Sequence, residues 1–261
     1  MKFLATVFFV GSILVLLQGC GAFKIVSGSG RVSEESRTVH NFDEVALSGI
    51  GTLHISVGRK ESLRIEAEDN LLPYLTAEVQ HNRLDIGTKN GVWLRNTKPI
   101  HFYLVVTELD TIVLSGRGEI KAPDLLTDSF SLTVSGSGKI EMGALETQEA
   151  QVKISGSGNV QFANVDANHL KVLISGSGDL NIGGGDVEQQ KVTISGSGKY
   201  LASDLESDQT NVHITGNGVV EVYVSRQFDV RVSGSGDVRY AGQPEVDQKV
   251  SGSGRVRPIK G

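Results

Sequence analysis

Serine, lysine and aspartate recur beside glycine pairs along most of this chain, and each combination suggests a chemistry. Ser-Gly-Ser-Gly-Lys at 135–139 and 195–199 invites comparison with a phosphate-cradling loop. Such a loop needs a further glycine ahead of its Gly-Lys pair and a Ser or Thr directly after the lysine, so that backbone amides and a hydroxyl meet phosphate and magnesium. Thr133 and Thr193 hold the first of those positions, and Ile140 and Tyr200 the last. Gly178-Asp179 and Gly236-Asp237 echo a calcium-binding roll, whose repeat is about nine residues with an Asp in each turn. The column that holds Asp179 and Asp237 otherwise contains Glu119, Lys139, Asn159, Lys199, Val219 and Arg255, and lysine in a ladder of ligands would repel the ion.

The six histidines (His40, His54, His81, His101, His169 and His213) follow no ligand spacing, and no Gly-x-Ser-x-Gly elbow occurs. No catalytic residue, metal site or cofactor is therefore assigned. Asp124, Asp128, Asp166, Asp186, Asp204 and Asp208 could assemble an acid cluster of the kind used with a basic residue by polysaccharide enzymes. They lie mainly in connecting segments, where solvated carboxylates are expected. Trp93, the one tryptophan, lies in the loop-like KNGVWLRNTKP and suits sugar stacking, contact with a partner, or packing under a loop.

The elements that would position these residues follow from the period. The motif starts at Ser115, Ser135, Ser155, Ser175, Ser195, Thr215, Ser233 and Ser251, spaced 20 residues apart and then 18 over the last two intervals. A fixed period in this range marks a solenoid, in which each unit buries its apolar face on its neighbours. One residue before the motif stand Leu114, Val134, Ile154, Ile174, Ile194, Ile214, Val232 and Val250. Three before it stand Ile112, Leu132, Val152, Val172, Val192, Val212, Val230 and then Gln248. The column between is mostly polar, and period-two alternation rich in β-branched residues means strands with one face buried. The fold class predicted is all-β: a parallel β-helix-like solenoid with coils of about 20, then 18, residues, capped by less regular N-terminal strands. Ser48-Gly49-Ile50-Gly51 is an early copy of the motif within that cap.

Alternation running straight through the motif would place both glycines inward and both serines outward, as two ladders of hydroxyls. A corner at the motif could instead turn the serines inward to satisfy backbone groups. The outward arrangement is the one expected.

Residues 1–19 read as a lipoprotein signal peptide: Lys2, then an apolar stretch too short for a stable membrane span. The only cysteine follows in Leu17-Gln18-Gly19-Cys20, which resembles the bacterial lipobox, so Cys20 is expected to carry lipid. A lone cysteine in an exported chain has no internal partner. Gly21, where an Asp would favour inner-membrane retention, points to the outer membrane. Net charge is −5 with no basic stripe, which argues against nucleic acid as a partner. The organisation expected is signal peptide 1–19, lipidated N-terminus and tether 20–35, and a single solenoid domain over 36–258.

The stretches SGSGRVSEESRTVHNFDEVALSGIGTLHISVG and EDNLLPYLTAEVQHNRLDI, followed by the ISGSG run, resemble the bacterial head GIN domain family. The resemblance spans roughly residues 27–256 and is most specific at Phe42-Asp43-Glu44-Val45 and Asp69-Asn70-Leu71-Leu72. It implies an adhesin-like head with β-helical structure in exported proteins and lipoproteins, and brings no catalytic residues. The function expected is a non-catalytic binding, adhesin-like or structural surface module, held to a membrane by its lipid. Its partner would be an extended glycan or an envelope or surface protein, met along Ser137, Ser157, Ser177, Ser197, Ser235 and Ser253. The rival is a polysaccharide lyase or hydrolase on the same scaffold, and its mark would be converging carboxylates with a basic residue in one groove.

Overall fold

The computed structural model describes residues 24–259. The signal-peptide reading of 1–19 and the lipidation of Cys20 lie outside those residues. Strands make up most of the described chain, with one 3-10 turn at Leu72–Tyr74, and the coils stack in parallel at the expected register. Ser131–Gly136 pairs with Gln151–Gly156, which pairs in turn with Lys171–Gly176 and Lys191–Gly196. After Gly216 the step shortens, so that Gln209–Gly216 pairs with Gln227–Gly234. Each coil has a long side before the motif, a second side after it (Asn159–Phe162, for example) and, in the longer coils, a short third side such as Val165–Ala167.

The interior follows the columns. Leu132, Val152, Val172, Val192 and Val212 are buried, as are Val134, Ile154, Ile174, Ile194 and Ile214. Burial of such a side chain stabilises by roughly 1.5–3 kcal/mol. One level is polar inside. The Tyr200 hydroxyl donates to Gln190 Oε1 at 2.8 Å, and Gln190 Nε2 donates to Ser207 Oγ at 2.8 Å. Ser207 Oγ donates to the Tyr223 carbonyl at 2.7 Å and lies 2.7 Å from Thr210 Oγ1. A fully connected network of this kind avoids the cost of unpartnered buried polar atoms, and burial pushes the Tyr200 phenol up.

The early motif copy sits where the solenoid begins. Glu44–Gly49 pairs in parallel with Thr111–Gly116, so Ser48 stacks on Ser115. Between the two the chain leaves the coil and builds a cap. Arg83–Ile86 covers Glu44–Leu47, His101–Val106 covers Thr52–Val57, and antiparallel partners extend both. The cap occupies an edge that would otherwise pair with other chains. At the far end, among the described residues, Glu245–Gly252 is paired on one side alone, and Gln248 interrupts its apolar column.

Within the stretch 20–35 read as tether, Lys24–Ser27 and the start of Val32–Arg37 are strands. The linking Ser27-Gly28-Ser29-Gly30, a motif copy in sequence, does not join the coil ladder. Glu68, Asp69 and Asn70 clasp it. The Gly30 amide donates to Glu68 Oε1 at 2.6 Å, the Ser29 hydroxyl to Asp69 Oδ1 at 2.5 Å, and Asn70 Nδ2 to the Ser27 carbonyl at 2.8 Å. A Cβ on Gly28 would lie 1.9 Å from the Glu68 carboxylate, so only glycine admits the clasp. The Thr97 hydroxyl, above all, together with the amides of Thr97, Gly30 and Lys98, holds the Glu68 carboxyl down to about 2 against the opposing effect of burial.

Two outcomes follow from this architecture. Ile174→Asp buries an unpaired charge between coils and should cost several kcal/mol, whereas Lys153→Asp on the exposed face should shift stability by about 0.5 kcal/mol or less. Equal losses by thermal unfolding would show the two faces to be reversed. Glu68 holds its proton less tightly when folded than when unfolded. Its contribution is therefore complete above pH 4.5 and is lost as pH falls toward about 2. Amide-exchange protection of Gly30 and Thr97 should fall over that window in the parent protein and be low already at neutral pH in Glu68→Gln. Full protection in Glu68→Gln would contradict the clasp.

Candidate binding surface

The repeated motif forms one corner of the solenoid, and its four positions do different work. In the coil of Ser155-Gly156-Ser157-Gly158, Gly156 has φ +117°, a conformation that side chains with a Cβ rarely adopt. A Cβ there would also lie 2.5 Å from the Gly136 carbonyl oxygen of the coil before. Gly158 points inward, and a Cβ on it would lie 2.4 Å from Val134 Cγ1. The two glycines are thus not alike. The expectation that both face inward holds for the second alone, because the chain turns at the first.

That turn does not bring the serines inside. Ser137, Ser157, Ser177, Ser197, Ser235 and Ser253 are all exposed. Their row continues at Arg117 and Asn217, and the first-position serines flank it in register. The ladder runs unbroken through the corner: the Ser157 amide donates to the Gly136 carbonyl at 2.8 Å, and Ser177 and Ser197 repeat the bond to Gly156 and Gly176. Backbone amides on this strip are therefore occupied, and what it offers a partner is hydroxyl groups about 4.8 Å apart from coil to coil. Among the described motif residues only the side chains of Ser29 and Thr215 hydrogen-bond another side chain, those of Asp69 and His213 respectively.

Three concave surfaces flank the strip or lie on other sides. At its cap end a groove of about 430 Å³ is lined by Ser48, Gly49, Ile50, Trp93, Asn96 and Arg117, among others. Trp93 is 62% exposed, and its segment, read from sequence as a loop, is the strand Val92–Arg95. Packing under a loop is thereby ruled out. A second groove, of about 400 Å³, sets Gln189, Gln209 and Gln227 side by side with Lys171 and Lys191 near them.

The third surface, about 920 Å³, collects Glu108, Asp110, Asp128, Glu146, Asp166, Asp186 and Glu188 with no Lys, Arg or His in its lining. It gathers three of the aspartates singled out above. Asp124 is elsewhere, accepting from the Ala144 amide at 2.7 Å, and Asp208 binds Ser225 and Arg226. The converging carboxylates expected of a polysaccharide enzyme are thus present in part, without the basic residue. Among the described residues no group of three or more His, Cys, Asp or Glu side chains could hold a metal ion.

The cap also brings together residues that spacing could not. His54 Nε2 lies 3.1 Å from His101 Nδ1, His54 stacks on Tyr103 at 5.0 Å, and the Arg64 guanidinium covers the Tyr103 ring at 4.0 Å. Burial, and then the neighbouring His101, lower the His54 pKa. No simple period relates these positions, so no sequence signal pointed to the pair.

Among solved structures, the chain is similar to a "putative adhesin" from Parabacteroides merdae, with 24% identity, 91% of this chain and 100% of that one covered, and a TM-score of 0.86. A "putative lipid binding protein" from Parabacteroides distasonis is similar at 24% identity, with 91% of this chain and 100% of that one covered and a TM-score of 0.83. A "putative adhesin" from the same species is 22% identical over 90% of this chain and 100% of that one, with a TM-score of 0.79. At these identities the likeness establishes the fold. No curated protein sequence matches the chain. The family model described as "Putative auto-transporter adhesin, head GIN domain" matches residues 41–244, most of the solenoid and its cap, and the chain belongs to that family.

Proposed function

We propose that this protein is an exported, lipid-anchored module that binds an extended partner, a glycan or a surface protein, along its corner strip without catalysing a reaction. The observation that carries this reading is the exposed, in-register row of hydroxyls at Ser137, Ser157, Ser177 and Ser197. Each single contact is worth about 1 kcal/mol, and repetition along one partner converts weak contacts into avidity. The adhesin-like family supports a surface or envelope role. The lipid on Cys20 and the outer membrane as its site are part of the proposal and rest on the Leu17-Gln18-Gly19-Cys20 sequence with Gly21 after it. Among the described residues no helix is long and apolar enough to cross a membrane.

The rival reading, a polysaccharide lyase or hydrolase, draws on the acidic groove. A lyase acting on an acidic glycan needs a cationic partner for the charge that develops beside the sugar's carboxylate, whereas a hydrolase needs two carboxylates flanking the scissile bond. The groove's uniform negative charge supplies no such cation and would repel an acidic polysaccharide, which leaves hydrolysis of a neutral glycan as the form of the rival it suits.

The test replaces Ser157, Ser177 and Ser197 together by Lys, with circular dichroism and melting to establish that the variant is folded. The parent should bind a glycan array or washed cell surfaces, and the folded triple variant should lose most of that binding. Retained binding would remove the strip as the site, and a parent that binds neither surface would sink the reading itself.

A further inference from the structure

We propose that the two-stranded ribbon Lys24–Ser27 and Val92–Arg95 is a membrane seat that rests Ile25 and Trp93 in the headgroup layer of the bilayer; the inference rests on the lipid-anchored reading above. The ribbon pairs Ile25 directly with Trp93. Side chains opposite one another in a parallel pair share a face, so the two stand side by side. They are 57% and 62% exposed. The opposite face, with Val26, Val92 and Leu94, packs on the core. A scattered exposed apolar residue needs no explanation, but two large ones aligned on a ribbon form a surface with a purpose.

The charge carried by the two segments of the ribbon is one-sided, although Glu68 and Asp69 of the clasp lie against them. From Gly21 to Arg31 and from Gly87 to Ile100 every charged residue is basic: Lys24, Arg31, Lys89, Arg95 and Lys98, in a chain of net charge −5. Arg31 is paired with Asp69, whereas Lys89, Arg95 and Lys98 are exposed and make no ion pair among the described residues. Tryptophan with flanking lysine and arginine is the composition that settles at a membrane interface, where the ring sits at headgroup depth and the cations meet anionic lipid.

Chain length then leaves little choice of position. Five residue steps separate Cys20 from Ile25, a reach of at most about 18 Å. The clasp on Ser27–Gly30 ties the ribbon to the cap, so a lipid on Cys20 would hold this basic, tryptophan-bearing face against the bilayer. The solenoid would lead away from it, with the serine strip starting at the cap. Several acyl chains on one residue anchor stably by themselves, so what the seat adds is orientation.

Cys20 and Trp93 are the chain's only cysteine and only tryptophan, which makes the test direct. The chain from Cys20 onward, which contains the whole described fold, is coupled through that cysteine to a maleimide phospholipid in vesicles of phosphatidylethanolamine and phosphatidylglycerol. Trp93 emission should move to shorter wavelength and be more than halved when the acyl chains carry bromine near the headgroup. Ile25→Glu, and separately Lys89→Glu with Arg95→Glu, should abolish most of the quenching with melting unchanged. Emission that stays unquenched in the parent, or quenching that survives these substitutions, would overturn the seat. Because the coupling is chemical, the result does not depend on acylation in the cell. That is read separately from fatty-acid labelling of the parent and of Cys20→Ser, and absent labelling with intact quenching would remove the native anchor while leaving the seat.

Discussion

At each corner of the solenoid, the carbonyl oxygen of one glycine occupies the place where the glycine of the next coil would carry its Cβ. For Gly176 that distance is 2.5 Å to the Gly156 oxygen, and for Gly196 it is 2.4 Å to the Gly176 oxygen. The backbones approach this closely because the hydrogen-bond ladder is carried around the turn instead of stopping at it. Two things follow. The corner cannot slip, since a residue gained or lost there would set a side chain against that oxygen, and the final coils shorten to 18 residues away from it. The alternating columns on either side are also held in register, so that each β-branched residue lands on the one before it. The second glycine serves the same packing from inside, making room for Ile154 beneath Gly178. Serine between the glycines is then the residue free to face outward.

The constraint also explains how much of the fold was readable. A stacked coil repeats its environment every turn, so position 154 and position 174 meet the same neighbours, and composition alone separates inside from outside. The apolar columns, the outward Lys153 and the shortened final coils all emerge from that repetition. The four-residue motif was less transparent. Alternation through Ser155–Gly158 implied two equivalent glycines, and nothing in the residue types reveals that Gly156 turns the chain while Gly158 does not.

The cap was legible only as strands, because its contacts are made once. Ser27–Gly30 reads as another copy of the motif, yet no coil lies beneath it and it is held by Glu68, Asp69 and Asn70. The pairing of Ile25 with Trp93 and of His54 with His101 depends on an excursion that leaves the ladder after Thr52–Val57 and rejoins it at Thr111. Asp128, Glu146, Asp166 and Asp186 converge because successive coils stack them, although each alone looks like an ordinary connecting residue. Of the surface features, the serine strip follows from the repeat, whereas the ribbon and the acidic groove required the fold.

The central claim is that the glycines are fixed by coil-to-coil contact and the serines are not. The most direct measurement compares the unfolding free energies of Gly156→Ala and Ser157→Ala by denaturant titration. The account predicts a loss of at least about 2 kcal/mol for Gly156→Ala, from an unfavourable φ compounded by overlap with the Gly136 oxygen, and a change within about 0.5 kcal/mol for Ser157→Ala. Losses of equal size at the two positions would contradict it, because serine would then belong to the packing and not to the displayed surface.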